Sequence, residues 1–173
     1  MITINNITGK FIFPVIFLIS FAFYSCSDNN VPTTPNYPPN TFCDITGDYN
    51  MAYKGQGTVF GLNNPFGIMV NTFYKDSTGK IYYMGINVYF KDGNYKTGTF
   101  SFVNKADPNL NDYAVGYFET GEGVNKQTFI SYSGEVKIDE ITLTKFKGTF
   151  NFLAKDTGGN SIMVKNGTVE IID

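Results

Sequence analysis

The chain contains no histidine and no tryptophan, and each of its thirteen positive residues is a lysine. Without arginine there is no guanidinium fork for a phosphate or carboxylate. Without histidine there is no imidazole base and no neutral nitrogen ligand for a metal. Charge is scarce, at 16% of residues with a net charge of −2, so no basic face is expected for a nucleic acid. No glycine-rich loop opens a helix, so no phosphate cradle is read. A serine nucleophile would lack its histidine. No catalytic set, cofactor or metal is therefore expected.

The 173 residues are 42% hydrophobic and 17% aromatic, which suits one folded domain with a tail. Lys10 is the one charge among the first ten residues, and Phe11 to Tyr24 runs FIFPVIFLISFAFY without any. Spanning a bilayer takes roughly 20 apolar residues, and this run is shorter and holds Pro14. A basic flank followed by a brief apolar stretch describes a secretory signal.

Ala22-Phe23-Tyr24-Ser25-Cys26 resembles the bacterial lipobox, with Phe23 where Leu or Val is usual and Tyr24 where a small residue is. That resemblance implies cleavage before Cys26, a thioether from its thiol to diacylglycerol, and acylation of the new amine. Two or three acyl chains hold a protein on a membrane almost permanently. Ordinary cleavage nearby and an uncleaved anchor are the alternatives. A Cys26–Cys43 disulfide is a further one, and it excludes acylation at Cys26. Ser27 to Thr41 then holds four of the seven prolines and one charge, Asp28, the composition of an extended tether. The organisation read is residues 1–25 as signal peptide, 26–43 as lipidated cysteine and tether, and 44–173 as a single β domain.

In that domain Tyr82, Met84, Ile86, Val88 and Phe90 alternate with Ile81, Tyr83, Gly85, Asn87 and Tyr89, the period of two of a half-buried strand. Further strands are expected over Phe66 to Lys75, Tyr95 to Val103, Tyr113 to Thr120, Lys126 to Ser133, Gly134 to Asp139, Lys145 to Lys155 and Ser161 to Ile172. Asp76-Ser77-Thr78-Gly79 is expected to close a hairpin and Asn166-Gly167 to bend or bulge the final strand. The fold class is all-β, an antiparallel two-sheet sandwich or small barrel of about 8–10 strands. Gly98-Thr99-Phe100-Ser101-Phe102 returns as Gly148-Thr149-Phe150-Asn151-Phe152, an echo read as two strands entering one core alike.

The stretch GEVKIDEITLTKFKGTFNFLAKD…SIMVKNGTVEI resembles the C-terminal half of uncharacterised small lipoproteins of the Bacteroidota. Its marks are the strand Gly134 to Asp139, Gly148 to Phe152, and Asn166-Gly167. The resemblance implies an envelope β domain and supplies no catalytic residue.

Three site readings follow. Cys26 is the lipidation site and binds the chain to a membrane, with the outer membrane the expected place. Tyr83 and Tyr89, on the mixed face of one strand, are candidates to stack on a sugar ring, with Tyr74, Tyr113, Tyr117 and Tyr132 in other strands. Asp107 to Asp112 alternates oxygen ligands as calcium loops do but lacks their glycine and glutamate, and is read as a turn. The function expected is a lipid-anchored envelope protein with a non-catalytic β domain. Its partner would be a glycan, a small apolar ligand or an envelope protein. The alternatives are a lipocalin-like barrel around a small apolar ligand, and a hydrolase using two facing carboxylates, for which Glu119 with Glu122 and Asp139 with Glu140 are the nearest pairs.

Overall fold

A computed structural model describes residues 38–107, 109–121 and 126–172. The signal peptide, Cys26, nearly all of the tether, Pro108 and Glu122 lie outside the described residues. The strands are β1 (Thr41–Gly47), β2 (Met51–Asn63), β3 (Phe66–Lys75), β4 (Ile81–Tyr89), β5 (Gly98–Ser101), β6 (Tyr113–Thr120), β7 (Gln127–Ile141), β8 (Lys145–Lys155) and β9 (Ser161–Ile172). All ladders between them are antiparallel. Eight strands close in the order β7-β6-β4-β3-β2-β1-β9-β8, and β8 returns to β7. The result is a closed barrel with β5 as an added strand, which resolves the choice between sandwich and barrel.

Period-two alternation places one face of each strand inside. Tyr53, Met84, Phe118, Phe129, Phe146 and Phe152 are among the fully buried side chains, in one continuous apolar cluster. Outside, β8 and β9 carry Lys147 and Glu170 at 2.8 Å, and β7 carries Lys137 and Asp139 at 2.9 Å. An apolar inside with ion pairs outside is the pattern of a barrel surrounded by water, the reverse of one that spans lipid.

β5 sits where β6 and β7 part. The first half of β7 pairs with β6 over Gln127–Ile130, while its second half pairs with β5 over Glu135–Ile138. Phe102 and Ala114 form a parallel bridge in the gap. Ser131, fully buried at this fork, accepts the Gly116 N–H at 2.9 Å and donates to the Val103 carbonyl at 2.8 Å. One hydroxyl thus satisfies two backbone groups that the diverging ladder leaves without strand partners.

Three expectations are corrected by this arrangement. Lys126 to Ser133 and Gly134 to Asp139 are one strand, because Gly134 at φ +123° absorbs an irregularity in the β7–β8 ladder instead of ending it. Tyr95 to Val103 shortens to β5, because Tyr95 leaves the sheet to pack on Phe66 and Phe90, with ring centroids 5.0 and 5.9 Å away. The barrel also begins earlier than Asp44: β1 takes Thr41, Phe42 and Cys43 from the stretch read as tether, and β2 was not delineated in the sequence. Asn166, at φ +52°, does sit at the expected bulge of β9.

Because the strands run up and down, the turns sort into two ends. One end holds the β1–β2, β3–β4 and β8–β9 turns. Tyr49 covers it, edge-on to Phe118 and Phe129 with centroids 6.1 and 5.7 Å away, and its hydroxyl donates to Gln127 Oε1 at 2.9 Å. The other end holds the β2–β3 and β7–β8 turns and the chain between β4 and β6. There a side chain at Gly61 would meet both the Tyr95 hydroxyl and the Leu143 methyl, so this mouth too is spanned by side chains.

Candidate functional site

Outward-facing residues of β3, β4, β6 and β7 build one aromatic band. Phe73 and Tyr83 are direct cross-strand partners, and both are exposed, at 44% and 41%. Tyr83 pairs with Glu119, and Gly85 beside it pairs with Tyr117. Tyr117 in turn pairs with Ile130, which is exposed, as is Tyr132 two residues on. Four adjacent strands at about 4.8 Å spacing make this band roughly 15 Å wide.

Gly85 makes the band flat. The Tyr117 ring lies across it, occupying the space that any Cβ there would need, and its hydroxyl donates to Asn71 Oδ1 on β3. A ring thereby covers a strand that has no side chain to cover itself. Burial, together with the nearby Glu119 carboxylate, pushes the Tyr117 phenol above its ordinary range, so it stays protonated and a donor. Glu119 pairs with Lys126 at 2.8 Å and accepts from Thr128 Oγ1 at 3.1 Å. Gln56, Asn71 and Thr128 occupy outward positions among the rings.

The two tyrosines read from the sequence are both on the outer face of β4 but are not together. Tyr83 belongs to the band. Tyr89, six residues and therefore about 20 Å along the strand, stacks on Tyr113 at 4.9 Å and lines a cleft of about 240 Å³ with Phe66, Leu110 and Asn111. Phe73, Tyr117, Ile130 and Tyr132 are what sequence reading of the platform missed or did not assemble. Alternation within each strand is the signal that could place each outward, but only the strand order brings them side by side. Tyr74 stacks on Tyr82 at 6.1 Å against the core, away from the band.

The acids read as possible catalytic pairs are engaged elsewhere. Asp139 pairs with Lys137 at 2.9 Å and Glu140 with Lys145 at 2.7 Å. In the segment compared with a calcium loop, Asp107 Oδ1 accepts the Asn109 N–H at 2.9 Å. Asp112 accepts the Lys91 N–H at 2.8 Å and pairs with Lys96 at 2.7 Å. These bonds are those of a pinned turn. Among the described residues, no three cysteines or acids converge.

No protein-family model matches the chain, and no curated protein and no solved structure matches it either.

Proposed function

We propose that the chain is a lipid-anchored protein of the bacterial cell envelope, moored through Cys26 at the outer membrane, whose barrel binds a neutral glycan on its outer surface without catalysing a reaction. One observation carries the binding half of this reading: the barrel is filled with its own aromatic side chains, while Phe73, Tyr83, Ile130 and Tyr132 stand exposed on one outer face. Exposed apolar side chains gathered in one place mark interaction surfaces. Sugar rings offer apolar C–H faces for the rings to cover and hydroxyls for Gln56, Asn71 and Thr128 to meet. The band's one carboxylate, Glu119, is paired with Lys126, and the Lys155 ammonium lies over the Tyr132 ring at 5.0 Å. With no unpaired acid and a cation at its edge, the band favours a neutral chain. The lipobox-like residues at Cys26 and the resemblance of Gly134 to Gly167 to small Bacteroidota lipoproteins support the anchored half.

Two measurements test the two halves separately. Metabolic labelling with a fatty acid should mark the chain and be lost in Cys26→Ala; label that persists there ends the assignment of the anchor to Cys26. Titration with neutral hexasaccharides should show binding that Tyr83→Ala and Tyr132→Ala abolish. A second reading, a barrel holding a small apolar ligand, has the closed eight-strand meander in its favour. It requires the core rings to make room, and it is the one supported if a fluorescent fatty acid is taken up and Tyr83→Ala leaves that uptake unchanged.

A further inference from the structure

We infer that the end of the barrel at which the chain enters rests on a lipid surface, with Leu143, Leu110 and Ile172 dipping among the headgroups. This rests on the lipid-anchor reading above and adds an orientation to it.

The two ends differ in what their turns display. At the far end the turns described in full are Asp48 to Asn50, Asp76 to Lys80 and Asp156 to Asn160, rich in acids, amides and hydroxyls bonded to their own backbone. Asp76 Oδ1 accepts the Thr78 and Lys80 N–H groups at 2.9 and 3.0 Å, and Asp156 Oδ1 accepts that of Asn160 at 2.8 Å. Among the described residues these turns carry no exposed large apolar side chain. The entry end carries several. Leu143, in the β7–β8 turn, is 60% exposed, and Ile172, at the end of β9, is 63% exposed. Leu110 stands on the loop before β6. Single exposed leucines are ordinary. Within the strands such side chains do not sort, since Phe73, Tyr83, Ile130 and Met163 stand exposed toward the far end. In the described turns and at the end of β9 they do, and the far end shows that polar turns serve the barrel equally well.

The chain itself says what faces that end. Asn40 leads into β1 from there: its N–H donates to the Gly55 carbonyl at 2.9 Å, its side chain donates to Gly57 further along β2 at 3.0 Å, and its carbonyl accepts the Glu170 N–H at 2.8 Å. Fourteen residues separate Cys26 from Thr41, a reach of at most about 50 Å. An acylated Cys26 thus confines this end near the bilayer, where a high effective lipid concentration makes weak insertion sufficient. Asp92 and Asp112 share the Lys96 ammonium and Glu140 pairs with Lys145, all within 3.0 Å. With Asp107, Lys91 and Lys105 the acids and lysines of these loops are equal in number, so they do not set a net negative face against anionic lipid. Side chains of this size reach about 5–10 Å into the interface when a peripheral protein docks.

The absence of tryptophan gives a dark background for the test. The full chain, with its acylation checked by mass spectrometry, is placed in phosphatidylethanolamine–phosphatidylglycerol vesicles as single-tryptophan variants Leu143→Trp, Leu110→Trp and Ser77→Trp. Lipids brominated near the carbonyl end of their acyl chains should quench the first two and leave the third, at the far end, unaffected. An unquenched tryptophan at both 143 and 110 in acylated protein overturns the inference, as does equal quenching at 77. Blue-shifted emission at 143 without lipid, insensitive to bromine, would place a second copy or another protein there and also overturn it. Should the sample prove unacylated while 143 and 110 are still quenched, the anchor fails and the lipid-seated end stands.

Discussion

Phe100 and Phe150 flank the same residue, Val136 of β7, one from β5 and the other from β8. The register extends outward from there: Gly98 and Gly148 oppose Ile138, Thr99 and Thr149 oppose Lys137, and Ser101 and Asn151 oppose Glu135. Phe102 and Phe152 then meet at 5.0 Å. The five-residue echo in the sequence is two strands solving one problem, how to lie against Gly134 to Ile138 from either edge. Because Phe150 is buried among strands that continue on both sides, Phe150→Ala should lower stability by about 3–5 kcal/mol. Thr149→Ala, on the exposed face of the same strand, should stay within about 0.5 kcal/mol. Urea denaturation of the two variants checks the contrast.

Ser131→Ala removes the hydroxyl that serves both Gly116 and Val103 at the fork. Two buried backbone groups lose their partner, at a cost of about 1–3 kcal/mol. Ser133→Ala, two residues on and exposed, should be nearly silent. Hydrogen exchange at the Gly116 amide should accelerate in the first variant and not in the second.

Gly85→Ala is expected to damage the aromatic band more than Tyr83→Ala does. A methyl at 85 displaces the Tyr117 ring and its bond to Asn71, and such overpacking costs about 1–3 kcal/mol. Tyr117→Phe keeps the ring and loses the hydrogen bond, at about 1 kcal/mol. Thermal melts order the three variants; a Gly85→Ala barrel as stable as the parent would contradict the contact.

Stability should fall on the alkaline side through Cys43. Burial, with a smaller push from Asp44, raises its thiol from 9.0 to about 12. The folded barrel therefore holds a proton that the unfolded chain gives up first. Its contribution is intact below pH 9 and is lost at about 1.4 kcal/mol per pH unit between roughly 9 and 12. Burial also pushes the Tyr53 phenol above its ordinary value of 10.0 despite its 2.8 Å bond to Thr72, adding to the loss from about pH 10 upward. In Cys43→Ala the slope of unfolding free energy against pH over this window should be shallower; an unchanged slope would assign the effect elsewhere.

Much of the barrel was legible because alternation is a local property. Phe66 to Lys75, Tyr113 to Thr120, Lys145 to Lys155 and Ser161 to Ile172 each announce themselves by side-chain period, and the observed strands have those bounds. The misreadings lie where distant contacts decide. Gly134 reads as a break until β8 is seen holding β7 straight through it. Tyr95 reads as strand until Phe66 and Phe90 are found beside it. The band was less legible for the same reason: Tyr83 shows its outward face in the sequence, but Phe73, Tyr117 and Ile130 become its neighbours only through the order β3-β4-β6-β7.

The seam between β1 and β9 fixes when the barrel can form. Val169 comes 128 positions after its partner Thr41, so the ring stays open until nearly the whole described chain has been synthesised. Pairing over such a separation is slow. Under the export proposed above, that delay leaves time for the chain to be threaded as a string, since its opening strand waits for a mate that the ribosome makes late.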